Sequence, residues 1–314
     1  MPSGFTKQLI EMNTGLKHSG VVVPMITPVT ADGKLDGPAV DRLVDFLVAG
    51  GVNGIFVMGT TGEGIAIPRI HRRELVDRTV ARVNGQAKVY AGIGDAHPQE
   101  ILAGNDYLRA GVNAVVSRPP IGISATEILP WYQSLVAGLA GPLILYNMPM
   151  TTKVSIPLDA VEKLTGHPRI AGIKDSENNP KRLEELLRRF GGRQDFSVFV
   201  GVGALMETGL RLGADGIVPS VGNLIPDVCR QLCAAARNGD WSGAGNFYSR
   251  MNAVAALYQN GRTLNESLSV LKGALHLRGL CAPHVLPPLK PLTEPQLEKL
   301  RHEMERLHLL NGQT

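Results

Sequence analysis

Residues 170–178 read I-A-G-I-K-D-S-E-N, a short apolar run that delivers one lysine, Lys174, at its carboxyl end. A lysine leaving a buried strand at that end emerges at the mouth of an α/β barrel, where such folds collect their catalytic groups. Desolvation there disfavours the ammonium form and leaves a nucleophilic amine, the group that forms a Schiff base with a keto substrate. The plainer alternative is a strand-end lysine that turns outward to water. The rest of the chain has to decide between the two.

From residue 20 onward, short β-branched runs alternate with amphipathic stretches of helical period, the pattern of βα units and a parallel sheet. Strands are predicted at 21–27, 54–58, 88–92, 114–117, 143–146, 170–174, 197–201 and 216–218, with helices such as 37–49, 69–83, 98–109 and 181–190 between them. Eight repeats fit a closed α/β barrel of the TIM, (β/α)8, type better than an open doubly wound sheet. After Asp240 the strand signals stop and helical ones dominate, ending in T-E-P at 293–295, a helix start, beyond an extended connector at 282–291 that holds four prolines. The expected organisation is an N-terminal extension at 1–17, the barrel at 18–240 and a small C-terminal helical domain at 241–314.

Composition removes several function classes. Of 314 residues, 44% are hydrophobic and 19% charged, and no stretch reaches the roughly 18 consecutive apolar residues of a membrane span. The first twenty residues are polar and mixed, without the apolar core of a secretory signal, so a cytoplasmic location is expected. The net charge of +4 is spread among acids, as in R-I-H-R-R-E-L-V-D-R, which reads as helix surface rather than a nucleic-acid footprint. Cys229, Cys233 and Cys281 read as reduced packing residues, and the eight histidines show no metal-ligand spacing.

Two more strand ends carry chemistry. The second ends in V-M-G-T-T-G-E-G, 57–64, where glycines allow a tight turn that offers backbone N–H groups and the Thr60 and Thr61 hydroxyls as a seat for a carboxylate. An ordinary glycine turn is the competing reading, and a phosphate loop fails because G-K-[ST] is missing. The fifth ends in L-I-L-Y-N-M-P, 143–149, presenting Tyr146, a phenol that can shuttle protons beside a lysine or simply pack.

Together with V-P-M-I-T-P at 23–28, the motifs G-T-T-G-E, Y-N-M-P and G-I-K-D stand in an order that resembles the dihydrodipicolinate synthase and N-acetylneuraminate lyase family of pyruvate-dependent class I aldolases. The resemblance runs from about Gly20 to the C-terminus. It implies that Lys174 forms the Schiff base, that Tyr146 shuttles protons, and that Thr60 and Thr61 hold the pyruvyl carboxylate and extend the relay. It also implies substrate contacts from Gly59 and Val218, pyruvate and an aldehyde or 2-keto acid as partners, no metal, no cofactor besides the imine, and a homotetramer built from dimers.

Departures narrow the substrate. Pro119 and Pro120 stand where the synthase has a tyrosine pair, Thr151 where it has a carboxylate-binding arginine, and Gly203 and Ala204 where the sialic acid lyases have an acidic pair. These point away from dihydrodipicolinate synthesis and from long polyols. Arg118, unusual at its strand end, can bind a carboxylate or hydroxyl of the second substrate or form a surface ion pair. The expected activity is cleavage or formation of a 2-keto-3-deoxy sugar acid or a 4-hydroxy-2-oxoglutarate-type compound, by a lyase. 4-hydroxy-tetrahydrodipicolinate synthase and a non-catalytic keto-acid-binding barrel are the alternatives. A dinucleotide site at 92–94 lacks its third glycine and acidic partner.

Overall fold

The computed structural model describes residues 17–94 and 98–310. The predicted N-terminal extension, apart from Lys17, lies outside the described residues. In chain order the elements are β1 (Gly20–Pro24), α1 (Gly37–Ala49), β2 (Gly54–Val57), α2 (Arg69–Val83), β3 (Lys88–Ile93), α3 (Pro98–Arg109), β4 (Ala114–Ser117), α4 (Ile128–Gly138) and β5 (Leu143–Asn147). There follow α5 (Pro149–Thr152), α6 (Leu158–Leu164), β6 (Ile170–Asp175), α7 (Pro180–Phe190), β7 (Ser197–Val200), α8 (Met206–Arg211), β8 (Gly216–Ile217), α9 (Pro226–Arg237), α10 (Trp241–Gln259), α11 (Leu264–Leu277) and α12 (Glu294–Arg306). The strands succeed one another in sequence order around a closed parallel barrel, as the eight βα repeats predict.

The described residues form two compact bodies, one of the stretches up to Val22 and from Lys88 to Pro219, the other from Val23 to Ala87 and from Ser220 onward. In the first, β5 and β6 run in register from Ile144↔Gly172 to Asn147↔Asp175, and β6 pairs with β7 from Gly172↔Ser197. Their strands are buried on both faces, which is why each reads as a nearly continuous apolar run. Helix α7 shows how the covering layer is specified. The Asn179 side chain accepts from Arg182 N–H at 3.2 Å, Pro180 supplies the first turn, and Leu183, Leu186, Leu187 and Phe190 make one buried stripe. Burying such a side chain contributes about 1.5–3 kcal/mol.

The second body packs the segment beyond residue 240 as helices with well-made starts. Asp240 caps α10 through Gly243 N–H at 2.9 Å, and Thr263 with Glu266, then Thr293 with Gln296, form capping boxes on α11 and α12. Predicted and observed helix bounds coincide at 37–49, 69–83 and 98–109. The first strand is shorter than its apolar run. It stops at Pro24 because the next backbone groups are taken elsewhere: the Asn223 side chain accepts from Ile26 N–H at 3.1 Å and donates to Pro24 C=O at 2.9 Å.

All three cysteines are buried free thiols, and burial pushes those of Cys233 and Cys281 up to about 12. Among the described residues no helix is long and apolar enough to cross a membrane.

Candidate active site

Lys174 and Tyr146 stand side by side. They are register partners on β6 and β5, both buried, and the Lys174 Nζ lies 4.0 Å from the centroid of the Tyr146 ring. Register partners in a parallel sheet share a face, so strand geometry alone brings the two groups together. At that distance the ammonium form is held over the negative face of the phenol ring, and the free amine has a proton donor alongside.

The next residue on each strand points to the opposite face. Asn147 Nδ2 donates to Asp175 Oδ2 at 3.0 Å and to Glu177 Oε2 at 3.1 Å, while Asn147 Oδ1 accepts from Ile156 N–H at 2.9 Å. Arg182, one turn into α7, donates from Nε to Asp175 Oδ2 at 2.9 Å, and the Ser155 hydroxyl donates to Glu177 Oε2 at 2.5 Å. Burial pushes the Asp175 carboxyl up from the usual range, against the downward pull of the Arg182 charge and of the N–H groups of Glu177 and Asn147. The network closes the ends of β5 and β6 from behind. It fixes the two backbones from which Tyr146 and Lys174 project.

Gly201, just past β7, leaves space for the lysine. A Cβ there would lie 3.0 Å from Lys174 Cε and 2.1 Å from Ser176 Oγ. Arg118 follows Ser117, which pairs with Leu145, so its backbone comes level with Tyr146. It is half-buried, and its Nη1 is buried without a hydrogen-bond partner. Behind this row the Tyr132 hydroxyl donates to Ser117 C=O at 2.8 Å, and burial pushes its ionisation well upward, which keeps it a neutral donor. Val218, buried one residue beyond β8, donates its N–H to Val200 C=O at 2.8 Å.

Gly59, Thr60 and Thr61 share the turn after β2, in the second body. The Thr60 carbonyl accepts from Glu63 N–H at 3.2 Å and the Gly59 carbonyl from Gly64 N–H at 3.0 Å, which draws the chain into a tight knot. Only glycine fits at 64, since a Cβ would lie 1.9 Å from Met58 O. Both threonines are half-buried, whereas Glu63 is buried against Lys272.

The sequence reading omitted Asn147, Asp175, Glu177, Arg182 and Gly201. A signal was present in Y-N and K-D, a polar residue directly after Tyr146 and after Lys174, but the partners are fixed only by the strand register.

The chain matches the model of the Dihydrodipicolinate synthetase family over residues 17–307. It is 30% identical to a 4-hydroxy-tetrahydrodipicolinate synthase of Pseudomonas aeruginosa, over 93% of this chain and 99% of that one. It is 28% identical to YagE of Escherichia coli K12, named as a candidate 2-dehydro-3-deoxy-D-gluconate aldolase, over 93% of this chain and 97% of that one. The crystal structure of YagE in complex with pyruvate superposes with a TM-score of 0.85 over 93% of this chain and 99% of that one. That of dihydrodipicolinate synthase from Bacteroides thetaiotaomicron, 31% identical, gives 0.87 over 94% and 100%. A closed barrel, a lysine and tyrosine in register at its strand ends, and a family match spanning nearly the whole sequence agree: the chain belongs to the dihydrodipicolinate synthetase family of lyases.

Proposed function

We propose that this protein is a pyruvate-dependent class I aldolase in which Lys174 carries the Schiff base. The supporting observation is the buried Lys174 amine 4.0 Å from the Tyr146 ring, on strands whose register admits no other pairing of the two. The amine adds to the keto carbon and water leaves, giving an imine. Tyr146 gives its proton to the departing hydroxyl, and the phenolate so formed takes the proton from the C4 hydroxyl as the C3–C4 bond breaks, while that electron pair passes into the protonated imine to leave an enamine and a free aldehyde. Protonation at C3 and hydrolysis then release pyruvate. Thr60 and Thr61, with Gly59, seat the pyruvyl carboxylate, and Val218 lines the site. YagE bound to pyruvate is the relative whose ligand fits this reading.

The second substrate is assigned to a 2-keto-3-deoxy sugar acid or a 4-hydroxy-2-oxoglutarate-type compound. The unpartnered buried Nη1 of Arg118, level with Tyr146, supports a carboxylate or hydroxyl at that position. The synthase reading stays in view because of the Pseudomonas relative's name, against Pro119, Pro120 and Thr151 in this chain. The proposal also takes 18–240 as the barrel and 241–314 as a helical domain, a homotetramer as the assembly, a cytoplasmic location, and no metal or further cofactor.

The test is a pyruvate-release screen over 2-keto-3-deoxy sugar acids and 4-hydroxy-2-oxoglutarate, with aspartate semialdehyde condensation run beside it. Release from a member of the first set, abolished in Lys174→Ala and reduced about 10²–10⁴-fold in Tyr146→Phe, is expected. Strong condensation with aspartate semialdehyde instead would establish the synthase, and tight binding without turnover would establish the sensor.

A further inference from the structure

The glutamate of G-T-T-G-E does not face the solvent its charge would favour. Its side chain and that of Lys272 are only 2% and 1% exposed, and Lys272 Nζ lies 2.5 Å from Glu63 Oε1. The other oxygen, Oε2, accepts from Leu286 N–H at 2.6 Å. One carboxylate thereby holds three stretches of chain together: the turn after β2, helix α11, and the proline-rich connector before α12. Glu63 adopts φ of 55°, in the left-handed region, and Met58 at the other end of the turn does the same at 58°. The Thr27 hydroxyl donates to Gly62 C=O at 2.6 Å, fixing the turn from a second side.

A buried ion pair is a poor way to gain stability, because the desolvation of both charges roughly cancels their attraction. It is an effective way to specify one geometry, since a carboxylate bonded on both oxygens tolerates little rotation. We infer that Glu63 and Lys272 are positioning residues that set the conformation of residues 59–64, and through it the pyruvate affinity of the Thr60 and Thr61 seat. This rests on the reading of those threonines as the carboxylate seat. It gives the helical segment after the barrel a part in substrate binding, 209 residues along the chain from the turn it orders.

The test compares full-length wild type with the Glu63→Gln, Lys272→Met double variant, in which neither charge is left buried alone. Thermal midpoint and the pyruvate concentration for half-maximal borohydride trapping are both measured. The double variant is expected to fold, with half-saturation raised about tenfold or more, the size of one weakened bond to a charged group. Half-saturation equal to wild type in the folded variant would overturn the inference. Should the double variant not fold, Glu63→Gln alone, which keeps an acceptor for Leu286 N–H, carries the measurement. Failure of both to fold would also overturn it, by showing the pair to be a requirement of folding. Thr61→Val separates the two readings. If it traps pyruvate like wild type, the threonine seat is wrong. If it is weakened and the double variant is not, the ion-pair inference alone fails.

Discussion

Lys174 occupies room that Gly201 leaves open. Replacing that glycine by alanine puts a methyl group 2.1 Å from Ser176 Oγ, which can rotate away, and 3.0 Å from Lys174 Cε, which must shift by a few tenths of an ångström. Reacting groups tolerate displacements of only about 0.5 Å, and a misplacement of about 1 Å can cost a hundredfold. Gly201→Ala should therefore lower kcat about tenfold or more while changing unfolding free energy by only about 1–3 kcal/mol, measured by steady-state kinetics and urea denaturation. An active variant at the wild-type rate would show that the lysine has slack. The nearness of Lys174 and Tyr146 was legible in the sequence because both stand at strand ends. The space around them was not, because no local pattern says which glycine stands beside which side chain.

The ends of β5 and β6 behave as one unit. Asn147 and Asp175 are register partners, bonded at 3.0 Å on the face opposite Tyr146 and Lys174, and Arg182 ties them to α7. Asp175→Asn leaves the Arg182 charge, 10% exposed, without its nearest carboxylate. Breaking such a buried pair costs about 3–5 kcal/mol, and the remaining contact of Arg182 with Glu177 at 3.3 Å should bring the loss toward the lower figure. Denaturant unfolding should show this loss together with a fall in kcat, whereas unchanged stability would mean that the network is dispensable. Strand and helix existence was readable from periodicity throughout. Strand ends were less so. β1 stops three residues before its apolar run does, because a side chain from Asn223 takes the backbone groups, and β6 runs one residue past Lys174 because Asp175 still has a partner on β5.

Stability of the whole molecule has a pH limit built in before the first strand. His18 is buried with its Nδ1 2.8 Å from the Tyr90 hydroxyl, and burial, then the nearby Lys88 charge, lower its pKa to about 4 from 6.5. The unfolded chain takes up this proton below about 6.5 and the folded one only near 4, so stability is complete above that window and falls as pH drops through it. The loss should approach about 2–4 kcal/mol by pH 4. His18→Gln should flatten the pH dependence of the unfolding free energy between those limits; an unchanged profile would assign the acid sensitivity elsewhere. The helical segment after the barrel was legible as helices, but its tie to the G-T-T-G-E turn was not, since nothing in the sequence around Glu63 or Lys272 marks either as the partner of the other. Everything proposed for the reaction depends on covalent capture of a keto acid at position 174. Borohydride reduction in saturating pyruvate, followed by peptide mass analysis, should find one reduced pyruvyl adduct on the peptide containing Lys174, absent from Lys174→Ala. An unmodified Lys174, or an adduct on another lysine, would contradict it.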